Sequence, residues 1–381
     1  MKLLRLQIEN FRNHINTHVT CSLNSNVFSG NNGEGKTNVL EAVSFLCLTK
    51  SFYAATDNTA LRFGQPHFHV EGEFQSDQGV HYAVRVTYDG ATNAKHVLIN
   101  NAAVGKLSTV VGQFPIVVLS PENNAITFGG PGDRRKFMDL VIAQASKSYF
   151  EDLLEYRKVL RQRNKILSDA KQTRADCSTL LEPWNETLVT RGAKIVLKRR
   201  EFVKEFRPQV EQQFAELVGQ SEIPGVAYAS DVGNDAQPSL GEIERALAEG
   251  LKQRYGEERR TGTTLVGPHR DELEFTLNNT ELRRFASQGQ HKTFLVSLKL
   301  AEFFYLQERC RETPLLLLDD VFGELDEHRA VNVLRRTASM GQTFITTTDD
   351  RILRHYAQTH YQQFTVAGGR VSNGETIAIA Q

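Results

Sequence analysis

The chain opens on alternation, with Leu4, Leu6 and Ile8 separated by polar residues, and a second short apolar run, Asn26-Val27-Phe28-Ser29, stops at Gly30. A period of two over so few residues predicts two strands of a half-buried sheet. From Lys36 the period changes, because Val39, Leu40, Val43 and Leu46 recur at helical spacing. The predicted order is therefore strand, glycine loop, helix. Phe68, Val70 and Phe74 alternate again, as do Val80, Tyr82, Val84, Val86 and Tyr88, with turn residues at Asp89-Gly90 and Asn100-Asn101. That pattern predicts an antiparallel meander. A further strand is predicted from Pro115 to Leu119, ending at Ser120-Pro121.

Between about 146 and 219 the strand pattern stops. Leu153, Leu160 and Leu167 repeat every seven residues, and a second series runs Leu181, Trp184, Leu188, Ile195, Phe202, Phe206, Val210, Phe214, Leu217. Two long helices packed as an antiparallel hairpin are predicted, an arm standing out from the core, with Pro183 in a first turn and Pro208 kinking the second helix. Polar residues 219 to 238 would return the chain to the body, where Ser239-Leu240-Gly241-Glu242 has the spacing of a capping box. Leu273, Phe275 and Leu277 lead to a hairpin at Asn278-Asn279. A helix follows with Phe294, Leu298, Ala301 and Tyr305 on one face. Leu315 to Leu318, ending in Asp319-Asp320, reads as a fully buried strand capped by acids, and Thr343 to Thr347 as another.

Composition narrows the function classes. Over 381 residues, 45 Lys and Arg balance 45 Asp and Glu, so indiscriminate coating of polyanions is disfavoured and any nucleic-acid contact needs a local basic surface. With 40% hydrophobic and 24% charged residues the chain can bury two or three cores, and disorder is excluded for most of it. Cys21, Cys47, Cys177 and Cys310 lie far apart, which suggests neither a disulfide framework nor a zinc ribbon and fits a reducing cytoplasm. No run approaches about 18 apolar residues, so neither secretion nor a membrane span is expected.

The sharpest chemical signal is Gly30-Asn31-Asn32-Gly33-Glu34-Gly35-Lys36-Thr37, which matches G-x-x-x-x-G-K-[ST] after a strand and before a helix. Such glycines let backbone N–H groups face inward as an anion nest at a helix N-terminus. Lys36 would reach the outer phosphates of a nucleotide, and the Thr37 hydroxyl would ligate Mg²⁺. Asp319 supplies the acid that holds Mg²⁺ from the tip of a neighbouring strand, and Asp320 stands where an attacking water must be oriented or deprotonated. Ser287-Gln288-Gly289-Gln290 precedes the amphipathic helix from 291; taken alone it is an ordinary N-cap.

Several runs together resemble the RecF family, bacterial ATPases related to the Rad50 and SMC heads. They are Asn10-Phe11-Arg12-Asn13-His14, the glycine loop, Leu119-Ser120-Pro121-Glu122, Gly132 to Asp139, Val266 to Leu273, Ser287 to Gln290, and Leu318 to Asp326. The resemblance implies an α/β fold: an ABC-type P-loop ATPase head, mixed sheet plus antiparallel meander, with a helical lobe and a short coiled-coil-like arm. The head would span 1–145 and 220–381, with lobe I about 1–120 and 310–381, lobe II the remainder, and the arm 146–219. It implies ATP and Mg²⁺ as cofactors and weak ATP hydrolysis with Lys36 and Asp320 as catalytic residues. Arg12 would meet the phosphates. Ser287, Gln288, Gly289 and Gln290 would form the signature that grips the nucleotide of a second protomer, and Gly323, Glu324, Leu325 and Asp326 the D-loop. Thr347 and Thr348 stand where transporter ATPases have a switch histidine, and no Gln follows Leu119.

The implied setting is a cytoplasmic, ATP-induced homodimer acting on gapped or junction DNA in replication and repair, working with RecR and RecO in RecA loading and SOS induction. Two basic stretches, one holding Arg157, Lys158, Arg161, Arg163 and Lys165 and the other Lys198, Arg199 and Arg200, are either a solvated helix face or the sequence-independent phosphate contacts such a role needs. A nucleotide-gated scaffold without important chemistry and the ATP-binding subunit of a transporter are the competing readings. The second lacks its Gln loop, switch histidine and short helical insert.

Overall fold

The computed structural model describes residues 1–52, 56–219, 222–232, 238–322, 327–337, 339–348 and 361–377. The chain divides into two compact units: Met1–Asn124 with Gln213–Ser221 and Ser287–Gln381, and Ala125–Gln212 with Glu222–Ala286. The first division falls after Asn124. The later one falls at Ser287 rather than near 310, because the helix Gln288–Cys310 buries most of its length and packs on the strand Ile116–Leu119 of the first unit.

The first unit contains two six-stranded sheets. The meander expected from the alternation is one of them, in the order His14–Thr20, Lys2–Phe11, His67–Gln75, His81–Asp89, Ala94–Ile99, Ala102–Ala103. Every neighbouring pair is antiparallel. The turn after Ile99 uses Asn100 and Asn101, both with positive φ, which asparagine tolerates better than most residues. The second sheet runs Arg370–Ile377, Tyr361–Ala367, Ser25–Ser29, Thr343–Thr347, Leu315–Asp319, Ile116–Leu119. All of its pairings after the first are parallel, and four of its strands are buried along their whole length, Ile116–Leu119 and Leu315–Leu318 as continuous apolar runs and the other two with buried Ser, Asn and Thr among their residues.

The helix Lys36–Leu48 touches strands of both sheets and buries every side chain from Val39 to Leu48. A helix covered on all sides needs apolar residues all round, and this one has them apart from Glu41 and Ser44. Phe45 on it meets Phe11 and Phe68 edge-on, with ring centroids 5.3 and 5.4 Å apart, and so ties the phosphate-loop helix to the meander.

In the second unit the predicted hairpin is present as Lys147–Thr173 and Ser178–Val218, whose last residues belong to the first unit. Its antiparallel register is fixed by Asp152 with Arg191 and by Arg163 with Asn185. The second helix is unbroken through Pro183, its sixth residue, and through Pro208. The hairpin is not a free arm, as the sequence led us to expect. A third helix, Leu240–Thr261, packs on it, burying Ile243, Leu247 and Leu251, while Tyr255 lies against the cluster of Leu167, Ala170, Cys177 and Leu181. Ser239 caps that third helix in the predicted box, with Gly262 at φ 79° ending it. Within the expected polar return, Pro224–Ala229 is a strand that pairs antiparallel with Glu272–Leu277 beside the Asn278-Asn279 hairpin.

Candidate functional site: the phosphate loop and its acids

Gly30 to Thr37 join the strand Ser25–Ser29 to the helix Lys36–Leu48. Gly33 and Gly35 have φ of 81° and 108°, a conformation that a side chain strains. Space forbids a substituent too: a Cβ on Gly35 would collide with the Asn13 side chain, and one on Gly30 with the carbonyl of Val366. The run Asn10 to His14 therefore braces the loop. Asn13 Nδ2 donates to the Glu34 carbonyl at 2.9 Å and its Oδ1 accepts from Asn38 Nδ2 at 2.8 Å, while His14 Nε2 lies 3.0 Å from the Gly35 carbonyl. From the other side, Gly369 N donates to the Glu34 carbonyl at 3.0 Å and Gly368 N to the Glu34 carboxylate. Asn31, Asn32 and Gly33 stay exposed at the rim.

Lys36 Nζ donates to the carbonyls of Gly30 and Asn31, each at 2.8 Å. Burial lowers the pKa of this ammonium, and the carboxylates of Asp320, Asp319 and Glu34 pull the other way. Thr37 Oγ1 donates to Asp319 Oδ1 at 2.8 Å, and the same oxygen accepts from Thr346 Oγ1 at 2.7 Å. Burial raises the Asp319 pKa, the two threonine hydroxyls oppose that shift, and the nearby charges of Glu122 and Asp320 add to it. The parallel register puts Asp319 opposite Thr346, and Thr346 Oγ1 also accepts from Asp320 N at 2.9 Å. Asp320 sits half-buried with φ 49°, a left-handed conformation uncommon outside glycine, though Asp adopts it more readily than most residues.

These donors suit Mg²⁺. Adjacent oxygens in an octahedron with bonds of 2.0–2.1 Å lie about 2.9 Å apart. Thr37 Oγ1 and Asp319 Oδ1, both hard oxygens, are 2.8 Å apart.

Ser287 is the N-cap of the helix Gln288–Cys310: its Oγ accepts from Gln290 N at 3.3 Å, and Gln290 Oε1 accepts from Ser287 N at 2.7 Å. Ser287 and Gln288 are exposed, and Gly289 and Gln290 are half-buried. The ordinary capping role and an outward-facing helix N-terminus thus coexist. Arg12 lies within the unit that holds the loop, but its guanidinium is engaged: Nε and Nη2 clasp the two Glu41 oxygens at 2.8 and 2.7 Å, and Nη1 donates to Thr59 O. The D-loop residues Gly323, Glu324, Leu325 and Asp326 lie outside the described residues.

The basic stretches separate into two kinds. Arg163 is 1% exposed, with Nη2 2.6 Å from Glu258, Nη1 on Thr264 Oγ1 and Nε on Asn185. Arg199 is 2% exposed, clasped by Asp139, Tyr149 and the Pro268 carbonyl. Neither side chain is open at the surface, so both fall from the expected set of exposed phosphate contacts, because a buried guanidinium must spend its donors on internal partners. Lys198 pairs with Glu201 on its own helix, and half-buried Arg200 donates to Val232 O. Arg157, Lys158, Arg161 and Lys165 remain at the surface.

Sequence reasoning missed Asn13, Glu41 and Thr346. The first two lay inside or next to quoted runs, and Thr346 carried a signal in its own right. A threonine in a buried strand needs a hydroxyl partner, and the acid-capped neighbouring strand offers one.

A parallel sheet whose glycine loop feeds one helix, with a Thr–Asp pair at the strand tips and an antiparallel meander alongside, defines a P-loop nucleotide-binding head of the ABC ATPase class. The RecF/RecN/SMC N terminal domain family matches residues 2–371. The DNA replication and repair protein RecF of Chloroherpeton thalassium is 44% identical over 92% of this chain and 95% of its own, and that of Salinibacter ruber 42% over 91% and 85%. Among solved structures, the recombination mediator protein RecF-ATPrS in the RecFOR pathway superimposes with a TM-score of 0.90 at 29% identity, covering 98% of both chains. The chain belongs to the RecF family of DNA replication and repair proteins. No helix among the described residues is long and apolar enough to cross a membrane.

Proposed function

We propose that this protein is an ATP-dependent, sequence-independent DNA-binding protein of the cytoplasm and a weak ATPase. Two copies would close on two ATP molecules, act at gapped or junction DNA, and work with RecO and RecR in RecA loading and SOS induction. The observation that carries the reading is the Ser287–Gln290 helix start, with Ser287 and Gln288 exposed, in the same unit as the phosphate loop. Its hydroxyl and first-turn N–H groups offer an anion seat, which a triphosphate held by a second copy can fill. Binding in that arrangement favours the closed pair, because the ligand contacts both halves only there.

Within one copy, the loop N–H groups bind the phosphates and Lys36 leaves the Gly30 and Asn31 carbonyls to pair with them. Mg²⁺ held by Thr37 and Asp319 would neutralise charge on the phosphate oxygens. Asp320 orients the attacking water and takes up its proton; its place is fixed by the bond from its own N–H to Thr346. Arg12, its guanidinium held in place by buried Glu41, would meet the phosphates without leaving that partner. Gly323 to Asp326 meet the second copy. Arg157, Lys158, Arg161 and Lys165, with Lys198 and Arg200 contributing at the edges, supply the local positive surface that the neutral total charge withholds.

Ser287→Arg should keep ATP binding and lose ATP-dependent dimers in light scattering, whereas Lys36→Ala loses both. Undiminished dimers of Ser287→Arg would refute the shared site. Asp320→Asn should slow single-turnover hydrolysis by roughly 10²-fold or more and prolong the closed dimer. An unchanged rate would favour the nucleotide-gated scaffold.

A further inference from the structure

The second unit holds a cavity of about 250 Å³ between the start of the helix Pro131–Ala145, the helix Lys147–Thr173 and the Pro268-His269 turn. Four cations line it, Arg135, Lys136, Arg157 and Arg199, against the single carboxylate of Asp139. That carboxylate is already divided: Oδ1 accepts from Arg199 Nη2 at 2.8 Å and Oδ2 from Arg157 Nη2 at 3.0 Å. Its remaining capacity is taken by the Tyr149 hydroxyl at 2.5 Å. Arg135 is half-buried, donates through Nη1 to Asp271 O at 2.6 Å, and keeps further N–H groups for a ligand. Burial first, and the neighbouring charge of Arg199 second, lower the pKa of its guanidinium, while the carboxylates of Glu272, Asp271 and Asp139 oppose the shift. Lys136 is exposed and has no ion pair among the described residues.

His269 contributes no charge. Its Nε2 donates to Thr264 O at 3.0 Å, so Nδ1 accepts from the Tyr156 hydroxyl at 2.7 Å and the ring is neutral. Leu153, Leu160 and Ile195 make the rest of the wall apolar, which strengthens the field that the arginines project into the space. Arg157, Arg161 and Lys165 leave the cavity as a surface stripe at intervals of four residues, about 6 Å along the helix axis. A ligand that repeats its negative charge suits such a track, and planar guanidinium forks suit phosphate oxygens.

We propose that this cavity is a phosphate-binding site, anchoring one phosphate group of a nucleic-acid backbone whose neighbours lie along the stripe. The chemistry is that of a phosphate oxyanion; the DNA source rests on the function proposed above, while free inorganic phosphate would use the same seat. The test combines two variants, Arg135→Gln and Lys136→Ala, with three probes: a 20-nucleotide single strand, inorganic phosphate, and a poly-glutamate peptide. Inorganic phosphate should shift the Gly132 and His269 amide resonances of the full chain, and the shift should disappear in Arg135→Gln. Each variant should weaken strand binding by about fivefold at ~100 mM salt and lower the salt slope by about 1. Lys136→Ala removes only an exposed side chain, so it reports even where Arg135→Gln perturbs the fold.

Phosphate shifts without any strand binding by wild type would overturn the DNA source and leave the anion seat standing. Unchanged strand affinity and no phosphate shift would overturn the proposal. Poly-glutamate binding that is tighter than the strand and equally sensitive to both variants would also overturn it, in favour of an acidic protein segment.

Discussion

Buried charge is handled differently at the phosphate loop and in the helices of the second unit, although the first unit also holds the charge pairs Arg12–Glu41 and Lys299–Glu302. Around the phosphate loop, Lys36 is satisfied by two backbone carbonyls and Asp319 by two threonine hydroxyls. In the second unit, Arg163 lies against Glu258 and Arg199 against Asp139, charge on charge. A neutral partner can be exchanged for a ligand at small cost, since the ligand brings the stronger, charge-assisted bond. An opposite charge cannot be exchanged, because leaving strands a bare ion in the interior. Pairing chemistry, rather than the presence of Lys or Arg, tells which cations are poised to meet phosphate.

Arg163→Ala tests the rigid side of that contrast most harshly. It leaves Glu258 buried and uncompensated, and urea unfolding should show a loss of about 3–5 kcal/mol. The double replacement Arg163→Met with Glu258→Leu should restore most of it; a double variant as weak as the single one would mean that hydrogen bonds to Thr264 and Asn185, not charge, hold the site. Thr346→Val probes the exchangeable side. It removes one of the two hydroxyls on Asp319 and the acceptor for Asp320 N, so stability should fall by about 1–3 kcal/mol. Mg²⁺-dependent nucleotide affinity, read by calorimetry, should fall with it.

A pH titration separates the units further. Burial pushes the His269 pKa down to about 4 from its ordinary 6.5, so the ring is neutral in both folded and unfolded chains above pH 6.5. As pH falls from 6.5 towards 4, the unfolded chain takes up a proton that the folded one refuses. Stability from this residue should therefore drop by up to about 1.4 kcal/mol per pH unit in that window. His269→Gln should flatten that part of the profile; an unaltered profile would assign it to other groups. The smallest stability effect is expected from Arg161→Ala with Lys165→Ala, within about 0.5 kcal/mol of wild type. The same pair should reduce the salt slope of DNA binding by about 2. Appreciable unfolding of that double variant would erase the distinction between the two kinds of cation.

The first unit was legible in the sequence for a physical reason. The glycine loop and the acid-capped strand place their chemistry through backbone geometry, which spacing encodes directly, and the Asn100-Asn101 turn is likewise local. The arm was less so. Its heptad leucines predicted two helices, but the third helix that covers them comes from residues 240–261, and nothing local reveals such a distant partner. Within the basic runs, Arg161 and Arg163 are two residues apart and so lie on different helix faces, one in water and one sealed inside. Only knowing which face is covered sorts them. Thr346 was hidden because its role depends on strand register across a parallel pair separated by a long crossover.

The Glu34 clasp ties the last described hairpin to the first turn of the nucleotide pocket. Gly368 and Gly369 hold that residue from a turn more than 330 positions further along the chain, and Gly369 has no room for a methyl group beside the Asn13 carbonyl. A truncation upstream of residue 368 should therefore blunt ATP affinity although it deletes no group assigned here to the triphosphate. Proteolytic nicking between Tyr361 and Arg370, outwardly a matter of the tail, would act as a lesion of the catalytic head.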